Sequence, residues 1–368
     1  MKSGISLPPK FRRIIVMVVF AAFGVIVLAF SKASTITTST EAEMGVSSPA
    51  AQLKNDASAS AGSYSVFGGK GRYILYTSNA NNPTAQIWRM KSDGSEATQL
   101  TNDANAEHHW VRPSPDGKSI LFYKQDKGTG VNDGSTNRLW VMNADGSNQH
   151  EVLARGSYGW NVMAHGEWSP DSQKIVMAAG SPGVGTQIFT INADGSGPTQ
   201  ITQLKSIDGS SELATATDPS WPKQDTILFV RAWGCFFLCS HQDVASINIT
   251  TGVETRLTND DRLDWDPYLS ADGSNYLWLK YDCIGCSADL YTASGSGPFN
   301  PRPLIADGGT NASGTLSYDG KYAIFPKLQS YGLTVWYSVY RIAIDGSGLT
   351  KISKDAGYSQ EGMPSYWP

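Results

Sequence analysis

Four cysteines stand in two tight pairs, Cys235/Cys239 and Cys283/Cys286. That spacing suits two local disulfides, and it also permits one zinc ion held by four thiolates drawn from two loops. Redox use of Cys283-Ile284-Gly285-Cys286 is a third chemistry. A second set of residues sits at one equivalent position ahead of a recurring turn: Trp110, His165, Asp218, Asp266, Ser313 and Met363. Glu107, His108, His109 and Asp264 fall just before that level. An imidazole and two carboxylates around a narrow space could hold a cation or a polar ligand. Acid–base catalysis by His165 with Asp218 or Asp266 is chemically open, although no spacing signature demands it. The plainer reading is that an Asp before Pro satisfies the turn that enters a strand.

The elements that must position these residues are strands. Of 368 residues only 17% are charged, 11% are aromatic and 37 are Gly. That composition lacks the Glu, Lys and Leu of long amphipathic helices and favours short strands with tight turns. A helical bundle is thereby excluded. Full disorder is excluded by 40% hydrophobic residues. The net charge of −4, with no basic cluster beyond residue 13, sets nucleic acid aside as a partner.

One phrase organises the chain from residue 66 onward. It reads HHWVRPSPDGKSILFYK from His108, HGEWSPDSQKIVMAA from His165 and DPSWPKQDTILFVRA from Asp218. It returns as DPYLSADGSNYLWLKY from Asp266 and SGTLSYDGKYAIFPKL from Ser313. A second phrase follows, a strand, an Asp-Gly turn and another strand, as in RLWVMNADGSNQHEVLA from Arg138 and QIFTINADGSGPTQIT from Gln187. Gly admits the positive φ that such a hairpin needs. The turn residues Asp116, Asp171, Asp225, Asp272 and Asp319 are spaced by 55, 54, 47 and 47 residues. Four short strands in that span is the size of a β-propeller blade. The stretch from Gly71 has no first strand before it, and Pro364–Pro368 is a first strand without the rest. Joined, they predict a closed ring of six four-stranded blades over 66–368.

Before the repeats, Lys2, Lys10, Arg12 and Arg13 precede an apolar run from Ile14 to Phe30. Charge followed by an apolar stretch is the order that export machinery reads. Residues 1–30 are therefore a signal peptide or an N-terminal membrane anchor, and 31–65, rich in Ser, Thr and Ala, a flexible linker. The remainder is exported, periplasmic or extracellular, and any membrane contact runs through the N-terminal segment if it is uncleaved.

The repeat, clearest at Trp168-Ser169-Pro170-Asp171, Ser114-Pro115-Asp116-Gly117 and Trp140 to Gly146, resembles the WD40-like (PD40) repeats of TolB-like propellers. The resemblance covers 66–368 and implies an all-β, six-bladed propeller. TolB carries a folded domain before its propeller, where this chain has a tether, so the resemblance is to the propeller type and not to TolB itself. Related peptidases set an α/β-hydrolase domain beside the propeller, but the chain has no Gly-x-Ser-x-Gly elbow.

These features favour a non-catalytic, exported binding scaffold for a protein or peptide of the cell envelope. Rival readings are a hydrolase or lyase acting on a glycan or small polar molecule at the channel, and a structural subunit of a surface assembly. The channel-mouth candidates are His165, Asp218, Asp266, Trp110 and His109. Trp233, Phe236 and Phe237, beside the first cysteine pair, are the candidates for contact with a partner. No cofactor is expected, with a cation in the channel or zinc at the four cysteines as the alternatives.

Overall fold

The computed structural model describes residues 52–55, 63–66, 365–366 and 73–353, except 129–134, 182–184, 205–213, 234–240, 261, 284–285, 297 and 332–333. Ile14–Phe30 lies outside them. Among the described residues there is no α-helix, and none is therefore long and apolar enough to cross a membrane. Within the stretch read as a linker, Gln52–Asn55 and Ser63–Val66 pair as a two-stranded sheet.

The apolar runs become strands buried on both sides. In Ser119–Asp126, Leu121 and Tyr123 pack with Met163, Trp168, Ile175 and Met177 of the next sheet. Ile120 and Phe122, on the opposite face, pack with Leu75 and Ile87 of the previous one. Lys174–Ser181 repeats the arrangement: Ile175 and Met177 face back, while Val176 and Ala178 face forward onto Trp221, Ile227 and Phe229. Successive side chains of a strand point to opposite faces. Continuous rather than alternating hydrophobicity is therefore what a sheet stacked between two others requires.

The result is all-β, a propeller-like succession of antiparallel sheets. Ala106–Pro113, Ser119–Asp126, Arg138–Asn143 and His150–Leu153 form one four-stranded sheet in sequence order. Val162–Trp168 opens a second and Thr315–Leu316 a third, each likewise in sequence order. In a fourth, Ser365–Tyr366 lies beside Tyr73–Ser78, with Ser365 opposite Leu75 and Tyr366 opposite Ile74. The last described strand thus completes the four-stranded sheet of Tyr73–Ser78, which removes an unpaired edge.

The count departs from six separate blades. Among the described residues, four sheets stand alone with four strands, whereas the strands from Thr215 to Ile305 form one eight-stranded sheet. A single parallel pairing, Gln242 opposite Leu263, joins its halves.

The turns obey one chemistry. At the first phrase, Ser114, Ser169, Ser270 and Ser317 donate to Asp116, Asp171, Asp272 and Asp319 at 2.6, 2.6, 2.6 and 2.7 Å. At the hairpins, the amides of Ser95, Ser147, Ser196 and Ser347 donate to Asp93, Asp145, Asp194 and Asp345 at 2.8 to 3.0 Å. Gly146 and Gly195 of these hairpins have φ of +88° and +86°. A Cβ there would lie 2.7 Å from the Leu100 carbonyl oxygen and 2.4 Å from that of Val152, so only glycine lets adjacent sheets approach.

Candidate functional site

Trp110, His165 and Asp218 each lie inside the first strand of a sheet, and Asp266 inside Leu263–Leu269, which opens the second half of the eight-stranded one, each at a break in its pairing. Register shifts occur between His109 and Arg112, Ala164 and Glu167, Thr217 and Ser220, and Trp265 and Tyr268. In each case two residues oppose one, which defines a β-bulge. The first bulge residue is left-handed every time, with φ of 45° at Trp110 and 50° at His165, Asp218 and Asp266. That conformation is costly for a residue with a side chain, and bulges re-aim the side chain they carry. Pro219 and Pro267 hold the second bulge position, where a missing N–H breaks no ladder bond. The Asp-Pro pairs therefore mark bulges within strands and not turns entering them, which corrects the plainer expectation.

The bulges bring three of the predicted residues together. The His165 Nδ1–H donates to Asp218 Oδ1 at 2.9 Å and lies 3.5 Å from Asp266 Oδ1. Ser313 donates to the other oxygen of Asp266. The Trp110 ring lies against the imidazole, with centroids 4.3 Å apart. One ligand atom from each of His165, Asp218 and Asp266 can be chosen so that all lie within 4.8 Å of one another. The side chains of His165 and Asp266 remain 17% and 18% exposed, whereas that of Asp218 is 1% exposed. All three line a cavity of about 20 Å³, room for a single water or ion.

Electrostatics tie the three groups together. Burial opposes charge on His165, but the charges and hydrogen bonds of Asp218 and Asp266 outweigh it and hold the imidazole up at about 10. Burial, with the neighbouring Asp266 charge, pushes Asp218 above the usual carboxylate range despite His165. Burial acts on Asp266 too, yet His165 and the Ser313 hydroxyl hold it below that range. Beside the cluster, Arg112 Nε pairs with Glu167 Oε2 at 3.1 Å. Sequence reasoning did not find that pair. Its members are the second residue after each of two bulge residues, a signal visible only once the bulges are aligned.

A second cavity, of about 160 Å³, shares Glu167, Ser220 and Tyr268 with the first. Its walls carry Trp168, Trp221 and Tyr318 with Pro113, Pro115, Pro170 and Pro222, residues of the Ser-Pro-Asp phrase and its variants. Tyr318 is 41% exposed.

The remaining candidates have other places. His109 does not line the cavity, and burial pushes its ring down to about 4. His108 is fully buried with Nδ1 against the Ala85 carbonyl, and Glu107 accepts from the Ala85 amide at 2.6 Å. Asp264 accepts from the Trp278 indole at 3.0 Å and lies 3.2 Å from Lys280 Nζ. These three are structural. Cys283 and Cys286 form a disulfide, which withdraws both thiolates from a four-cysteine zinc site. Cys235, Cys239, Phe236, Phe237 and Met363 lie outside the described residues, and Trp233 ends the strand Thr226–Trp233.

Fold and site together define a β-propeller with a polar cluster carried on β-bulges of its strands. No family model matches the chain. Over 107 residues it is 31% identical to the uncharacterized protein Atu1656 of Agrobacterium fabrum, a match covering 28% of this chain and 35% of that relative, about a third of its length. Among solved structures the chain resembles TolB from Acinetobacter baumannii, with a TM-score of 0.60 and 15% identity over 81% of this chain and 67% of that one. A putative TolB from Agrobacterium tumefaciens aligns at 0.53 and 16%, over 77% and 89%. A chain of a nidogen/laminin complex aligns at 0.58 and 9%, over 80% and 98%. At these identities the likeness is one of fold.

Proposed function

We propose that the chain is an exported, non-catalytic β-propeller that binds a protein or peptide of the cell envelope, in the manner of a TolB-like scaffold. With the eight-stranded sheet taken as two blades joined at one parallel contact, the ring has six. The observation that carries the binding reading is the cavity walled by Trp168, Trp221, Tyr268, Tyr318 and four prolines. At about 160 Å³ it is smaller than the roughly 300–1,000 Å³ of a pocket that encloses a whole small molecule. It suits one or two apolar side chains of a longer partner. Its aromatics are the residue types that anchor interfaces. The cavity at His165, with room for one water or ion, has no space for a sugar ring, which weighs against a glycan lyase or hydrolase at that point. The N-terminal order of charge and apolar run supports export.

Site-specific photo-crosslinking from Tyr318 in the native envelope tests this reading. A discrete crosslinked protein is expected, lost on Trp221→Ala or on competition with excess purified ring. Crosslinking that is absent, or unchanged by both, overturns the reading, as does turnover of a small polar substrate that depends on His165.

A further inference from the structure

The bulge cluster has an unanswered demand. Asp218 Oδ1 accepts from His165 and from Thr217 at 3.1 Å, but Asp218 Oδ2 has no hydrogen-bond partner. The residue is 3% exposed, and it lines the small cavity. A carboxylate oxygen buried without a partner costs on the order of 1–3 kcal/mol or more. Two carboxylates lie around one imidazole, and three left-handed residues are needed to aim them. Among the described residues that line the cavity, the one Lys or Arg is Arg112, which is already matched by Glu167.

We propose that His165, Asp218 and Asp266 form a binding site for one divalent transition-metal ion, with the Ser313 hydroxyl orienting Asp266 from behind. The ion would take the place of the His165 Nδ1 proton, which leaves to solvent, and would give Asp218 Oδ2 its partner. Two carboxylates and a neutral imidazole neutralise a 2+ charge. Ligand atoms within 4.8 Å of one another need close in by only a few tenths of an ångström to meet one ion at bonds of about 2.0–2.2 Å, which allow separations up to about 4.4 Å. The donor set selects among metals. One nitrogen with carboxylate oxygens suits Mn²⁺ or Zn²⁺, whereas Ca²⁺ wants six to eight oxygens. The cavity's room for one water or ion is the space that the metal itself would fill. The site depends on the bulges alone and stands whether or not the aromatic cavity binds a peptide.

Mn²⁺ is the probe of choice, because any free thiol of Cys235 or Cys239 would compete for zinc but not effectively for manganese. The full chain, purified in detergent and stripped with chelator, would be titrated with Mn²⁺ alone and followed by electron paramagnetic resonance and calorimetry. One equivalent is expected to bind, with Ca²⁺ at least tenfold weaker. Asp218→Asn and His165→Gln should each abolish that equivalent, with near-ultraviolet circular dichroism reporting the fold. Ser313→Ala, a milder change, should weaken Mn²⁺ about tenfold. The proposal is overturned by the absence of stoichiometric binding, by binding that survives Asp218→Asn, or by an unchanged affinity in Ser313→Ala. Calcium binding as tight as manganese would overturn the class of ion.

Discussion

Two sets of repeated positions behave in opposite ways. At the outer clamps, backbone and residue type repeat together. The amides of Ile87, Ile188, Val244 and Val339 donate to the hydroxyls of Thr101, Thr202, Thr258 and Ser353, each 14 residues ahead and each at 2.9 Å. At the inner bulges the backbone repeats and the chemistry does not. Trp110, His165, Asp218 and Asp266 share one left-handed conformation but supply an indole, an imidazole and two carboxylates. A hydroxyl that answers a buried amide has the same task at all four places, so Thr or Ser recurs. A side chain aimed at a shared cavity has a task set by its neighbours across the ring, so the residue varies. Uniform chemistry marks the scaffold, and varied chemistry on a uniform backbone marks the site.

The comparison can be broken from the scaffold side, and the largest effect belongs to closure. Deleting Met363–Pro368 removes Ser365 and Tyr366 from beside Leu75 and Ile74. It should cost several kcal/mol and broaden the melting transition; an unchanged melting temperature would sink the closure. Next comes Thr202→Val, which strands the buried Ile188 amide. A loss of about 1–3 kcal/mol in urea unfolding is expected, with Mn²⁺ affinity unaltered. Any change in that affinity would show that clamp and bulge are not separate systems.

An acid titration sharpens the line between bulge residues and their neighbours. Burial depresses His108 and His109 to about 4, so both are neutral in the fold down to that pH. The unfolded chain takes up these protons near 6.5. The stability they confer is therefore complete above about 6.5 and is lost as pH falls towards 4. His109→Phe should shrink the stability difference between pH 7 and pH 5 by about 2 kcal/mol. An unaltered difference would mean that His109 is reached by water and belongs with the site. The smallest effect is expected at Asp171→Ala, which loses the Ser169 and Gln173 hydrogen bonds at a partly exposed turn. About 1 kcal/mol is the expected cost, read from the urea midpoint.

Much of this was legible in the residues alone. Runs such as Ile120 to Tyr123 announce strands covered on both faces, and the Asp-Gly hairpins announce where they reverse. The placing of His165, Asp218 and Asp266 at one level came from aligning the phrases. The same alignment also drew in His109, because a strand read as regular gives no warning of a bulge at the next residue. Asp218-Pro219 and Asp266-Pro267 carried that warning: a proline inside a strand has to sit where no ladder bond is lost. The Cys283–Cys286 disulfide was one of several chemistries that its spacing allowed.

By itself, then, the sequence determined the all-β class, the repeating unit and the partnership of the last strand with Tyr73–Ser78. Those depend on local periodicity, turn chemistry and the order of phrases, all of which are written along the chain. The joining of Thr215 to Ile305 into one sheet, the left-handed aim of four side chains and the unpartnered Asp218 oxygen were decided by tertiary structure. The first depends on Gln242 meeting Leu263, the second on an extra residue opposing its partner strand, and the third on His165, Asp218 and Asp266 meeting from three separate strands, and no local pattern encodes those meetings.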